Sequence, residues 1–345
     1  MKKVLLGLSG GVDSAVAGAK LIESGYDVTG CFLLLTENAD AKSEEAENAR
    51  KVADFLGIKL VISDFRERFK KNVSEYFINE YLSGRTPNPC IRCNPTVKCR
   101  SLADVANSLG IETIATGHYA LSGENKLYGG RVISAAPSKK DQSYFLCRLT
   151  TDLVERIIFP LGEFPSKDAV REAAAGFSLP NAKKADSQEI CFIPDNNYQR
   201  YICENSDFIP SEGNFIDISG NIIGKHTGII NYTVGQRKGL GAFGEPRYVK
   251  AINALDNTVT LCKTDERFAF SLEAFDVSWA VKNPPQNEFR GKVKIRSTAP
   301  AADALIEIFE DRIKVTFEDK VIAPTPGQSA AIYDGDILLG GAIIL

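Results

Sequence analysis

Two groups of residues in this 345-residue chain have types and spacings that could do chemistry. The first is Gly7-Leu8-Ser9-Gly10-Gly11-Val12-Asp13-Ser14, set between the apolar run Val4-Leu5-Leu6 and the small-residue run Ala15-Val16-Ala17-Gly18-Ala19. A strand that runs into a glycine turn and opens a helix aims backbone N–H groups and a helix N-terminus at one point, which makes an anion site. It is not the common phosphate loop, because no lysine follows the glycines. The plainer reading is a strand-to-helix turn in which Gly10-Gly11 only permits close packing. The second group is a set of thiols. Cys90-Ile91-Arg92-Cys93 stands behind Arg85-Thr86-Pro87-Asn88-Pro89, and Cys191 lies in Ile190-Cys191-Phe192-Ile193. Two prolines around Asn88 predict a stiff extended loop that excludes helix. A free thiol ionises near pH 8.5, so a nucleophilic cysteine needs help; Arg92, or a helix starting near Val97, is placed to give it. A structural zinc site on Cys90, Cys93 and Cys99 needs Cys191 or His118 as fourth ligand. A third reading is an iron–sulfur cluster on Cys90, Cys93 and Cys191, with one iron open. Cys191 beside isoleucine and phenylalanine also reads as a buried apolar cysteine, as do Cys31, Cys147, Cys203 and Cys262.

These residues need a frame. Strands are predicted at Val4–Leu8, Val28–Leu35, Leu60–Phe65 and Thr113–Thr116, with a helix over Ser43–Leu56. Alternation of this kind predicts an α/β fold with a doubly wound parallel sheet, whose ligands sit at the carboxyl ends of the strands. The glycine turn follows the first strand and Gly117-His118-Tyr119 the fourth, so both face one crevice. A helical region is predicted from about Leu149 to Arg200, with Cys191 in a loop. After about Ser206 glycine pairs punctuate short strands, a small β-rich module. From about Ser271 strands dominate, with hairpins at Ala304–Phe309/Arg312–Phe317 and Ser329–Tyr333/Ile337–Ile344, a β-barrel or sandwich. The boundaries are therefore 1–205, 206–270 and 271–345.

Composition is that of an ordinary globular protein, 44% hydrophobic and 25% charged. No long uncharged apolar run predicts a membrane span, and Met1-Lys2-Lys3 leaves no room for a signal peptide. Eight scattered cysteines suit a reducing cytoplasm. A net charge of −3 gives no hint of nucleic acid.

SGGVDS at Ser9–Ser14 resembles the PP-loop of enzymes that split ATP into AMP and pyrophosphate to activate an oxygen. Six further stretches match one family in order. They are Gly84–Pro89 with Cys93-Asn94, Ala115–Tyr119, Lys140–Leu146, Asp186-Ser187 with Ile190–Ile193, Thr233–Gly241, and Thr325–Ala330. Together they resemble the tRNA-specific 2-thiouridylases along the whole chain. The resemblance implies a PP-loop domain, a small central domain and a C-terminal β-barrel. It implies sulfur replacing the C2 oxygen of the wobble uridine in tRNAs for Lys, Glu and Gln, with ATP cleaved at the loop and Mg2+ as its cofactor. Partners implied are the tRNA anticodon stem-loop and a sulfur-donor or relay protein. Gly7, Leu8, Ser9, Gly10, Gly11, Val12, Asp13, Ser14, Leu33 and Gly117 would contact ATP, and Asp13 would help hold Mg2+. Asn88, Pro89 and Cys90 would face the target base, and His118, Lys140, Asp141, Gln142 and Gln328 would touch tRNA. Cys191 would carry a persulfide, and Cys93 would release its sulfur by forming a disulfide with Cys191.

The chain departs from the family at Cys90, where an aspartate is usual; this completes a three-cysteine set for a [4Fe–4S] cluster. The run Phe32–Thr36 and the pair Arg296-Ser297 also depart. His118 alone reads as a packed histidine at a strand end, and Lys139-Lys140 and Lys183-Lys184 as solvated surface. The competing activity is an amide-forming PP-loop synthetase, which explains the loop but not Cys93 and Cys191. A non-catalytic RNA-binding module with a decayed loop is opposed by the intact Ser9, Gly10, Gly11, Asp13 and Ser14.

Overall fold

The computed structural model describes residues 1–182 and 190–345; Lys183-Lys184 and Asp186-Ser187 lie outside the described residues. Val4, Leu5 and Leu6 are fully buried, as befits a strand covered on both faces. They lie in β1 (Lys3–Gly7), which pairs in parallel with β2 (Asp27–Leu34) and β4 (Thr113–Ala115). With β3 (Lys59–Asp64) outside β2 the parallel sheet forms as expected. The helices beside it start and stop for local reasons. Ser43 accepts the Ala46 N–H at 3.3 Å to cap helix Glu44–Leu56, and Gly57 ends it in the left-handed region at φ 66°.

Two expectations are corrected, and one stretch without a predicted element gains structure. Residues 120–135 form a hairpin of β5 (Ala120–Asn125) and β6 (Gly130–Ala135). The stretch from Leu149 to Arg200 is not uniformly helical: β7 (Ile157–Ile158) breaks it and closes the parallel sheet as β3-β2-β1-β4-β7. Pro89 does not exclude helix but starts one, Pro89–Cys93. A proline at the first helical position loses no hydrogen bond, because that N–H has no partner in any helix.

The middle of the chain forms a four-stranded sheet ordered β10-β11-β8-β9, from β8 (Gly213–Ile216), β9 (Ile222–His226), β10 (Tyr248–Asn253) and β11 (Thr258–Cys262). The last part holds β12 (Phe268–Trp279), β13 (Glu288–Lys294), β14 (Ala302–Phe309), β15 (Arg312–Ile322), β16 (Ser329–Asp334) and β17 (Ile337–Ile344). Their order is β12-β15-β14-β13-β16-β17, and β12 also pairs with β17, which closes a six-stranded barrel. The hairpin β5–β6 joins this barrel, with Ile133 opposite Leu338 on β17. A segment that lies between two strands of the parallel sheet, β4 and β7, thus joins the sheet formed by the last part of the chain.

Candidate functional site

The glycine turn is built as an open anion cradle. Gly10 sits at φ +73°, and a Cβ there would lie 2.6 Å from the Glu45 carbonyl oxygen. Only glycine meets both demands, so the close-packing reading of the turn holds beside the functional one. Gly11 caps helix Val12–Glu23 with no side chain over its first N–H groups, which leaves the positive end of a 12-residue helix open. Ser14 Oγ donates to the Gly11 carbonyl at 3.0 Å and accepts from Ser9 N–H at 3.2 Å, while Ser9 Oγ lies 3.2 Å from Ser14 Oγ. Leu8 and Val12 are core side chains, so only their backbone can face a ligand. Gly7 and Leu33 sit at the carboxyl ends of β1 and β2. Gly117 comes to the same point: a Cβ there would stand 3.1 Å from Ser14 N and from Asp13 C.

Asp13 is not alone at the loop. Its Oδ1 accepts from Tyr119 OH at 2.7 Å and from Lys167 Nζ at 2.6 Å. Lys167 follows Ser166, which caps helix Lys167–Gly176 through the Ala169 N–H. A cation at the loop was expected from no motif; the fold brings Lys167 there from far along the chain. Mg2+ carried by ATP is held largely by phosphate oxygens, and Asp13 is the carboxylate beside the loop that would serve it.

The thiols gather at the neighbouring helix. Asn88 Oδ1 accepts from Cys90 N–H at 3.2 Å and Ile91 N–H at 3.3 Å, so its side chain caps Pro89–Cys93. After Cys93 the chain takes a π-helical turn, Asn94–Lys98, before helix Cys99–Ser108. Cys90 is exposed, and Cys93 is buried among Phe69, Val73 and Val97. Cys191 is exposed, but Phe192 beside it packs edge-on to Phe69 at 5.4 Å and Phe77 at 5.5 Å. Phe192 thereby ties the Cys191 turn to the cluster that buries Cys93. Burial pushes the Cys93 thiol up to about 12, and nearby Cys191 and Cys90 also oppose its ionisation. The Cys191 thiol, though open to solvent on one side, is raised by the protein packed around it and then by Cys90. All eight cysteines are free.

Arg92 does not serve these thiols. Its guanidinium stacks on Tyr76 at 4.9 Å and donates to the Asn72 carbonyl. The cation present is Lys98, which sequence reading missed. Burial works against its charge, but Cys93, Cys90, Cys99 and Cys191 favour it and raise its pKa. In an α-helix a residue five positions on faces about 140° away; the wider π turn swings Lys98 back toward Cys93. No carboxylate pairs with Lys98 among the described residues.

His118 hydrogen-bonds through Nδ1 to Thr116 Oγ1 at 2.8 Å. Burial and Lys98 depress it to about 3, so it is neutral and could meet RNA only as a hydrogen-bonding group. Gly117 touches the anion loop and the next residue, His118, feels Lys98, so loop and thiol helix are neighbours. Asp141 accepts from Ala136 N–H at 3.0 Å, Ser143 N–H at 3.1 Å and Ser143 Oγ, and Gln142 accepts from Tyr119 N–H at 3.0 Å. Both build the turn, and only Lys140 of that trio is exposed. Gln328 donates to the Thr86 carbonyl at 2.7 Å.

Among the described residues no three of His, Cys, Asp and Glu are disposed to hold a metal ion. Cys90, Cys93 and Cys191 as placed therefore do not fit a [4Fe–4S] cluster, and the zinc set does not fit either.

Family models match three consecutive stretches: the tRNA methyl transferase HUP domain over residues 2–195, the tRNA methyl transferase PRC-barrel domain over 202–263, and the aminomethyltransferase beta-barrel domain over 270–344. The chain is 45% identical to the tRNA-specific 2-thiouridylase MnmA of Acetivibrio thermocellus, covering 99% of both chains. It is 42% identical to that of Clostridioides difficile, covering 99% of this chain and 98% of the relative. Among solved structures, a 4-thiouridine synthetase–RNA complex with bound ATP is 16% identical at a TM-score of 0.36, covering 59% of this chain and 50% of that one. End-to-end identity at this level leaves one assignment: the chain belongs to the family of tRNA-specific 2-thiouridylases.

Proposed function

We infer that the chain is a tRNA sulfurtransferase that makes 2-thiouridine at the wobble position of tRNAs for Lys, Glu and Gln, at the expense of ATP. What supports this most is that Gly117 abuts the Ser9–Ser14 anion cradle while Lys98 acts on both His118 and Cys93, in a chain related end to end to 2-thiouridylases. A uridine carbonyl oxygen leaves poorly. ATP converts it to an adenylate, and pyrophosphate departs into the cradle, where Lys167 and the N-terminus of helix Val12–Glu23 meet its charge. A persulfide on Cys191 attacks C2 and AMP leaves, giving a C2–S–S–Cys191 link. The Cys93 thiolate then attacks Cys191 Sγ; the electron pair goes to the outer sulfur, freeing 2-thiouridine and leaving a Cys93–Cys191 disulfide. Two external thiols reduce that disulfide and are themselves oxidised to one, and a persulfide-bearing relay protein then passes its outer sulfur to Cys191 and keeps a thiol. The target base must leave the anticodon stack to reach these groups. Asn88, Pro89, Cys90, His118, Lys140, Asp141, Gln142 and Gln328 are assigned to the RNA side. Exposed Lys139, Lys140, Arg237 and Lys238 supply the local positive charge that phosphate contacts need. The free cysteines suit a reducing cytoplasm, and the three working units are 1–205, 206–270 and 271–345.

The test is incubation of the protein with ATP, a persulfide donor and unmodified tRNA, followed by digestion and mass analysis of nucleosides. Expected is 2-thiouridine from the wild type and none from Cys93→Ser or Cys191→Ser. ATP consumed without thiouridine favours the amide-forming synthetase. Colour and iron in anaerobically purified active protein, absent from inactive protein, would favour the cluster over the persulfide.

A further inference from the structure

Thr86 stands three residues upstream of Pro89, where the thiol-bearing helix starts, and both of its backbone polar groups are held by the C-terminal barrel. Its N–H donates to the Pro326 carbonyl at 2.8 Å, and its carbonyl accepts from Gln328 Nε2 at 2.7 Å. Between these partners Gly327 sits at φ +88°, and a Cβ there would lie 2.9 Å from Thr86 N and 3.1 Å from Arg85 Cβ. The barrel loop is itself rigid. Gly327 N–H donates to the Ile344 carbonyl at 2.9 Å, Ile344 N–H donates to the Gln328 carbonyl at 2.8 Å, and Arg296 holds Thr325 Oγ1 at 2.8 Å.

On its other side the same stretch meets the central sheet. Gly84 lies at φ +74° with Ile252 packed where its Cβ would be. Arg85 is held by the buried carboxylate of Glu80. Downstream the chain has little freedom before the thiols. Pro87 and Pro89 fix two φ angles, and Asn88 caps the helix. The far end of that helix is pinned by Asn94 Nδ2, which donates to the Phe145 carbonyl at 2.8 Å. A displacement at Thr86 is therefore carried to Cys90 and Cys93 rather than absorbed between.

We propose that the Thr325–Gln328 loop of the barrel is a positioning element for the sulfur-transfer step, setting through Thr86 where the helix Pro89–Cys93 presents its thiols to the uridine. Gln328 is then a positioning residue acting through the thiol helix, beyond any contact it makes with RNA. The inference rests on the sulfurtransferase reading above. Its cost is geometric: a misplacement of about 1 Å in a reacting group can cost on the order of a hundredfold in rate.

The experiment compares wild type with Gln328→Ala and Gly327→Ala. It measures kcat and KM for tRNA in thiouridine formation, and amide hydrogen exchange of residues 86–94 in the RNA-free protein. Expected in both variants is a fall in kcat of about tenfold or more, a KM for tRNA within about threefold of wild type, and faster exchange at Cys90 to Cys93. A raised KM with kcat preserved makes Gln328 an RNA contact only and overturns the proposal. Unchanged exchange in both variants overturns it too, as does a lowered melting temperature with kcat intact. If the wild type makes no thiouridine, the functional reading fails, and the exchange measurement still decides whether the barrel loop fixes the helix.

Discussion

At the scale of single residues, the chemistry turns on the state of Cys93. With its thiol pushed up to about 12 by burial, Cys93 is held protonated near neutral pH. That suits a thiol which must stay idle until sulfur has reached the uridine. The cation acting on it among the described residues is one that motif reading did not reveal: Arg92 adjoins Cys93 in sequence but lies on Tyr76, while Lys98 is brought round by the π turn. A positive charge favours the thiolate and lowers its pKa, so removing it must raise the pKa further. Lys98→Met is expected to cut the rate of Cys93 alkylation at pH 9 several-fold and to shift its pH profile to higher pH, with thiouridine formation slowed in parallel. An alkylation profile identical to wild type would show that the ammonium does not act on this thiol. The cysteines, by contrast, were plain in the sequence, because their spacing and their setting are local.

At the scale of elements, the strands of the parallel sheet and the helix after Ser43 could be read because apolar runs and caps are local signals. Ser43 and Gly57 mark the two ends of one helix. The errors have physical causes. Proline was taken as a helix breaker, whereas Pro89 occupies the one position where a missing N–H costs nothing. The two-residue strand Ile157–Ile158 is too short to show a period. The Ala120–Ala135 hairpin finds its partner strand only in the last residues of the chain. Close approach of elements is equally invisible in a linear reading. Gly117 presses on the backbone that opens helix Val12–Glu23, and backbone yields less readily than a side chain. Gly117→Ala is thus expected to raise the KM for ATP several-fold, with stability lowered by about 1–3 kcal/mol. Titration of ATP dependence with a thermal melt checks this, and an unchanged KM would separate Gly117 from the anion loop.

At the scale of the whole molecule, a net charge of −3 pointed away from RNA, yet charge balance is a sum and recognition is local. Lysines and arginines elsewhere are spent on ion pairs such as Arg68–Asp104 and Arg100–Asp152, while Lys140 and Lys238 stay exposed. The order of the folded units was legible from changes in texture along the chain. How the barrel reaches back to Thr86 was not, since Thr325–Ala330 entered only as a stretch shared with a family, with Gln328 expected on tRNA rather than on Thr86. The central claim is that the loop at Ser9–Ser14 activates the very oxygen that sulfur replaces. It is tested most directly by supplying tRNA whose wobble uridine carries oxygen-18 at C2 and weighing the products of one turnover. Adenylation of that oxygen predicts the label in the phosphate of AMP, one atom for each 2-thiouridine formed; label released into water or found in pyrophosphate, with AMP unlabelled, would contradict it.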